Sequence, residues 1–246
     1  MCEVADFKNY LNCYEFDITL PGSKEQLKIK PITTGQLKKL LVYENEDDPM
    51  LVDSILDELI VSSVMTEGFN IDNITLQDRF SLLVELRKIS KGNSYQFYTV
   101  CSHCESQTLQ NTDLTTLIVK AKPDDTNYVV KLDDHISITL SYLTRGEQKK
   151  IFKSIPKTLT GNARIAEMAT LSYAASIVNI IIPEGENELP QQDKIYLINN
   201  MTQGMYSSIT TWMSDNSYGV EFKRNLKCKN CGKSTVMEIP LENFFF

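Results

Sequence analysis

Cys101-Ser102-His103-Cys104-Glu105 and Cys228-Lys229-Asn230-Cys231-Gly232-Lys233 are two Cys-x-x-Cys turns in distant parts of one chain, and their pairing decides how the chain must fold. Zinc favours four tetrahedral ligands, and a Cys-x-x-Cys turn curls its backbone around an ion so that each turn supplies two thiolates. The expected ligand set is therefore Cys101, Cys104, Cys228 and Cys231, with one structural Zn2+ per chain. Gly232 follows the last cysteine of the second turn, where a residue without a Cβ takes the tight conformation easily. Glu105 holds that place in the first turn, a departure that weakens its match to the pattern. With all four positions filled by protein, no site is left for a water or substrate, so the expected metal is structural. His103 is an available but redundant ligand.

Ordinary zinc ribbons separate their cysteine pairs by about 15 to 20 residues. Here nearly half of the chain lies between Cys104 and Cys228, so the fold itself has to bring the pairs together. A metal clip closing so long a loop constrains the unfolded chain. Lys227, Lys229 and Lys233 surround the second turn and offset the excess negative charge of four thiolates on one divalent ion. The alternatives are two unrelated pairs of reduced cysteines, disulfides formed on oxidation, or a redox motif. The last requires a helix N-terminus to lower a thiol pKa, and Cys101 follows an extended segment instead. Cys2 and Cys13 have no paired spacing and read as free thiols.

Outward from the turns, the chain reads as the same series of elements twice. Tyr14–Leu20 and Gln26–Lys30 alternate in character around Pro21-Gly22-Ser23, the pattern of a β-hairpin. A helix starts at Thr33 or Thr34, buries Leu37, Leu40 and Leu41, and ends at Asn45 to Asp48. Pro49 suits the first turn of a second helix whose stripe is Leu51, Ile55, Leu56, Leu59 and Ile60, up to about Val64. After a loop from Gly68 to Asn73, a third helix runs from Leu76 to Ile89 with Phe80, Leu82, Leu83 and Leu86 inward. Gly92 stops it, and Tyr95–Val100 is a strand that delivers Cys101.

In the second series Tyr128–Leu132 and Ile136–Tyr142 form a hairpin, and Thr144-Arg145-Gly146 echoes Thr33-Thr34-Gly35. A long helix from about Asn162 to Ile181 answers the one at Pro49, Gln192-Asp193-Lys194 resembles Gln77-Asp78-Arg79, and Ser217-Tyr218-Gly219 resembles Ser90-Lys91-Gly92. The expected fold class is α+β: two related halves, residues 1–122 and 123–246, each a hairpin followed by helices and a Cys-x-x-Cys knuckle, joined by a zinc-ribbon-like site.

A net charge of −7 over 246 residues argues against a general phosphate-binding surface, so no nucleic acid is expected as a partner. The apolar run Ala174–Ile182 is broken by Ser176 and Asn179 and stopped by Pro183, too short to span a bilayer. The start of the chain lacks the basic and apolar regions of a signal peptide, so the protein is expected to remain in a reducing compartment. Two histidines and no phosphate-binding glycine loop or His-Glu-x-x-His helix leave no catalytic constellation, and the chain is not expected to be an enzyme. The terminal Phe244-Phe245-Phe246 packs either on the chain's own surface or into a neighbour. The Ala- and Ile-rich stretch from Ala163 to Ile182 reads as a buried helix.

The chain resembles the baseplate hub proteins of T4-like contractile-tailed phages, the T4 baseplate protein family. The resemblance is carried by the first hairpin followed by Pro31-Ile32-Thr33-Thr34-Gly35-Gln36-Leu37-Lys38-Lys39-Leu40, by Asp78-Arg79-Phe80-Ser81-Leu82-Leu83 through Gly92, and by the cysteine pair after it. It implies a structural or assembly component of the central hub, in the virion tail or in the host cytoplasm during assembly. It implies a hetero-oligomeric assembly with other hub subunits as partners and the tape-measure protein as a further candidate. The competing reading is a zinc-ribbon accessory factor acting on nucleic acid through Lys227, Lys229 and Lys233.

Overall fold

A computed structural model describes residues 14–42, 49–240 and 244–245 of the chain. These residues form seven α-helices and several small sheets whose strand pairs are all antiparallel, an α+β architecture. They divide into two compact units. The first draws on Met1–Phe69, Phe80–Lys120 and Gly219–Phe246, the second on Asn70–Arg79 and Ala121–Tyr218. These units cut across the halves expected from the repeated order, 1–122 and 123–246, because the last strands of the chain belong to the first unit.

In the first unit β1 (Phe16–Thr19) pairs with β2 (Gln26–Ile29), with Phe16 opposite Ile29 and Ile18 opposite Leu27. The alternation read from the sequence is real in β2, where Leu27 and Ile29 are buried while Gln26 and Lys28 are exposed. Helix α1 (Thr34–Val42) opens on a reciprocal cap: the Gln36 side chain accepts from the Thr33 N–H at 2.7 Å, and the Thr33 hydroxyl accepts from the Gln36 N–H at 3.3 Å. Helix α2 (Pro49–Ser63) begins at the proline and buries Ile55, Leu59 and Ile60. The expected helix end at Asn45–Asp48 and the side chains of Leu40 and Leu41 lie outside the described residues.

Helix α3 (Leu76–Lys91) contributes Phe80–Lys91 to this unit. Leu82, Leu83 and Leu86 are buried as expected, but Phe80 is 40% exposed. Ser81, Val84 and Arg87 are buried as well, so the helix is covered nearly all round and the apolar stripe alone does not locate its core. Phe80 is exposed although its neighbours Asp78, Arg79, Ser81 and Leu82 are buried, so it stands on the one open line of this stretch. Gly92, at φ 87, caps α3 with its N–H on the Lys88 carbonyl at 3.0 Å. Strand β3 (Ser94–Val100) then pairs with β4 (Gln107–Asp113), which the polar run Gln107-Thr108-Leu109-Gln110-Asn111 does not announce. Strand β5 (Ile118–Lys120) pairs with β10 (Gly219–Glu221), and β11 (Lys223–Lys227) forms a hairpin with β12 (Ser234–Glu238).

Phe244 and Phe245 are buried in the first unit, with the Phe244 ring edge-on to Tyr95 at 5.2 Å. The Arg87 guanidinium holds this end down: Nε donates to the Phe244 carbonyl at 2.7 Å, Nη1 to the Gly92 carbonyl at 2.7 Å and Nη2 to the Ser94 carbonyl at 3.1 Å. Of the two packings left open by the sequence, these two aromatic residues take the chain's own surface.

The second unit contains a four-stranded sheet in the order β6 (Val129–Lys131), β7 (Ser137–Leu140), β8 (Ile177–Ile182), β9 (Gly185–Glu188). The expected helix from about Asn162 to Ile181 stops early: α5 is Gly161–Ser176, and the chain passes directly into β8. Ile177, Val178, Ile180, Ile181 and Ile182 are β-branched, stiff at χ1 and poorly suited to a helix, and a central strand accommodates them. The expected burial of this stretch also fails at its start, where Ile165 is 59% exposed, and at Val178, which is 40% exposed; Leu171, Ala174, Ser176 and Ile177 are buried. Helix α4 (Arg145–Ser154) has a capping box between Thr144 and Glu147, and α6 (Gln191–Asn200) and α7 (Gln203–Asp215) cover the sheet with Ile198, Ile209 and Trp212.

Candidate metal centre

The β3–β4 and β11–β12 hairpins of the first unit each present a cysteine turn, and the turns share one backbone design. In the first, the Cys101 N–H donates to the Ser106 carbonyl at 3.0 Å and the Glu105 N–H to the Cys101 carbonyl at 2.9 Å. In the second, the Cys228 N–H donates to the Lys233 carbonyl at 2.8 Å and the Gly232 N–H to the Cys228 carbonyl at 2.9 Å. The N–H groups of His103 and Asn230 each lie 3.4 Å from the sulfur of the first cysteine of their own turn. These are the inward-pointing amides that neutralise sulfur charge in a knuckle.

The four sulfurs meet. Cys101 Sγ is 3.7 Å from Cys231 Sγ, Cys104 Sγ is 3.8 Å from Cys228 Sγ, and all four lie within 4.8 Å of one another. A tetrahedral ion with metal–sulfur bonds of about 2.3 Å sets its sulfurs about 3.8 Å apart, so the observed spacing suits such an ion. A disulfide brings its sulfurs to about 2.05 Å, and these four are separate thiols. Cys101 and Cys228 are buried, Cys104 is half-buried and Cys231 is exposed. The His103 side chain is exposed and stands outside the cluster.

Proton affinities within the group are spread apart. The Ser106 hydroxyl and backbone N–H pull the Cys104 thiol down to about 6, and the backbone N–H groups of Cys231 and Asn230 lower that of Cys228. Cys231 also accepts from the Lys233 N–H, but desolvation and the three neighbouring thiols outweigh that bond and push it up to about 11. Four sulfurs this close cannot all be anions unless a cation sits among them. The arrangement can therefore bind a soft divalent ion, and binding releases the remaining protons.

Beneath the sulfurs the two hairpins interlock. Thr99, Thr108, Gln110, Leu226, Thr235 and Met237 line a small cleft there. Gln110, buried, donates to the Thr108 hydroxyl at 3.1 Å, and the Thr99 hydroxyl lies 3.2 Å from Met237 Sδ. Of the basic residues noted in the sequence, Lys229 is engaged locally, its ammonium donating to the Leu109 carbonyl; on the same hairpin Arg224 donates to the Thr116 carbonyl. The Lys227 stem runs past Gly232. Ser106 is the site residue that the sequence reading missed; a lone serine two places after a cysteine gives no signal of its own.

Fold and site together define an α+β protein in which four cysteines lie close enough together to bind a metal ion. The family model described as T4 bacteriophage base plate protein matches residues 12–246, nearly the whole chain, and the chain belongs to that family. Membership implies a structural role in the baseplate of a phage tail. No curated protein and no solved structure matches the chain. No helix among the described residues is long and apolar enough to cross a membrane.

Proposed function

We propose that this protein is a structural or assembly component of the central hub of the baseplate in a contractile-tailed phage, acting through interfaces with other hub subunits and carrying one structural zinc ion on Cys101, Cys104, Cys228 and Cys231. The observation that carries this reading is the family match across residues 12–246. Zinc is favoured among soft divalent ions because four thiolates at tetrahedral spacing with no open position are its usual structural environment. The ion fixes the β3–β4 hairpin against the β11–β12 hairpin, which secures the C-terminal strands on a unit otherwise built from the N-terminal part of the chain. The matched backbone bonds of the two knuckles support a common origin for the segments 1–122 and 123–246. The hub subunits, with the tape-measure protein as a further candidate, are the proposed partners.

Affinity purification of the tagged chain from phage-infected cells tests this reading. Recovery of hub subunits supports it, and recovery of the chain alone or with nucleic acid contradicts it. Mass spectrometry of purified particles then separates a hub subunit, present in the virion, from an assembly factor that stays in the host cytoplasm.

A further inference from the structure

All four sulfurs receive support from the backbone, but side chains support only some of them. Each accepts the N–H of the residue two places on, Cys101 from His103, Cys104 from Ser106, Cys228 from Asn230 and Cys231 from Lys233, and Cys228 accepts that of Cys231 as well. Side-chain donors are concentrated on one edge of the group. Ser106 Oγ lies 3.0 Å from Cys104 Sγ and 3.7 Å from Cys228 Sγ, and Asn230 Nδ2 lies 3.8 Å from Cys104 Sγ. Of the two sulfurs that no such donor reaches, Cys101 is buried and Cys231 is exposed. Hydrogen bonds to a metal-bound thiolate draw charge from sulfur and hold the ligand in place, and a thiolate without them is the better nucleophile and the easier ligand to detach.

We propose that Cys231 is the exchangeable ligand of this centre: metal enters and leaves, and soft electrophiles react, at its sulfur, while Ser106 holds Cys104 and Cys228 as the fixed edge. This rests on the zinc reading above. With a maleimide as the electrophile, the Cys231 sulfur adds to one alkene carbon, the π pair takes a proton from water at the other, and the alkylated sulfur no longer serves as a thiolate ligand.

The test uses the full chain with its zinc content measured first. Less than one equivalent of N-ethylmaleimide is added with a chromogenic zinc chelator, and labelled peptides are mapped. Among the four cysteines, Cys231 takes the first label and zinc release follows that labelling in time. Ser106→Ala raises the labelling rate of Cys104 several-fold and leaves that of Cys231 unchanged. First labelling at Cys101, Cys104 or Cys228, or even labelling across all four, overturns the inference while leaving bound zinc in place. Protein isolated without zinc overturns the zinc reading, and this inference with it.

Discussion

Glu105 and Gly232 occupy the same place in the two cysteine turns, each directly after the second cysteine, and both take the left-handed backbone conformation, at φ 55 and φ 72. For Gly232 that conformation is free of strain, whereas Glu105 pays a steric cost of about 1 kcal/mol or somewhat more. Glu105→Gly therefore raises stability by about 0.5–1 kcal/mol, part of the gain being offset by the freer unfolded chain. Gly232→Ala lowers it by about 1 kcal/mol, since a Cβ there meets nothing closer than Lys227 Cε at 3.9 Å and the cost is conformational. Denaturant melts of the metal-loaded variants measure both; equal effects of the same sign contradict the equivalence of the two positions.

A second matched pair separates the two helix starts. Gly35 in α1 has only Thr33 Oγ1 at 3.9 Å from an added Cβ, but Gly146 in α4 would place a Cβ 2.9 Å from the Asp72 carbonyl oxygen and 3.1 Å from Asp72 Cβ. The close approach is held by the Arg145 N–H on the Ile74 carbonyl at 2.9 Å and by Lys149 on Asp72 at 2.6 Å. Gly35→Ala is expected to stabilise by about 0.5–1 kcal/mol through helix propensity. Gly146→Ala is expected to destabilise by about 1–3 kcal/mol because backbone has to move. A stabilising Gly146→Ala in thermal melts would show that Asp72 does not pack against α4 as described.

The C-terminal aromatic residues are part of the first unit's core, so trimming them is costly. Phe244→Ala removes a buried ring and its contact with Tyr95, and a loss of about 3–5 kcal/mol is expected. Arg87→Met leaves the Gly92, Ser94 and Phe244 carbonyls without their shared donor and costs about 2–3 kcal/mol. In a double-mutant cycle the two losses add to less than their sum, because both release the same terminal segment. Strict additivity would mean that Arg87 does not anchor it.

How far the sequence could be read follows from which interactions are local. Hairpin alternation at Leu27 and Ile29, the helix start at Thr33 and the Gly92 stop depend on neighbours a few residues away, and each is visible as a pattern. The four cysteines were legible as a set because the ligand chemistry demands two pairs. What failed was decided by distant contacts. The Ile177–Ile182 run reads as the end of a helix until β7 and β9 are available to pair with it, and β4 carries too little apolar character to register as a strand. Phe80 and Arg87 invert their usual tendencies, the first standing exposed between buried neighbours, the second because three backbone carbonyls surround its guanidinium.

Metal removal should act on the first unit. A strong chelator with a reductant, or acid, which lets protons compete for the four sulfurs, is expected to lower the melting temperature and to speed hydrogen exchange in β3, β4, β11 and β12. Exchange in the second unit's sheet, with Ile138 and Ile177 at its centre, should be unchanged. Uniform acceleration across both units would contradict a centre confined to the first.

The most direct measurement is the zinc content of the purified chain by elemental analysis, with its native mass, for the parent protein and for the double variant Cys228→Ser/Cys231→Ser. One zinc per monomer in the parent and none retained in the variant is the expected result. A parent protein without zinc, or a variant that keeps it, would contradict a structural ion held by Cys101, Cys104, Cys228 and Cys231.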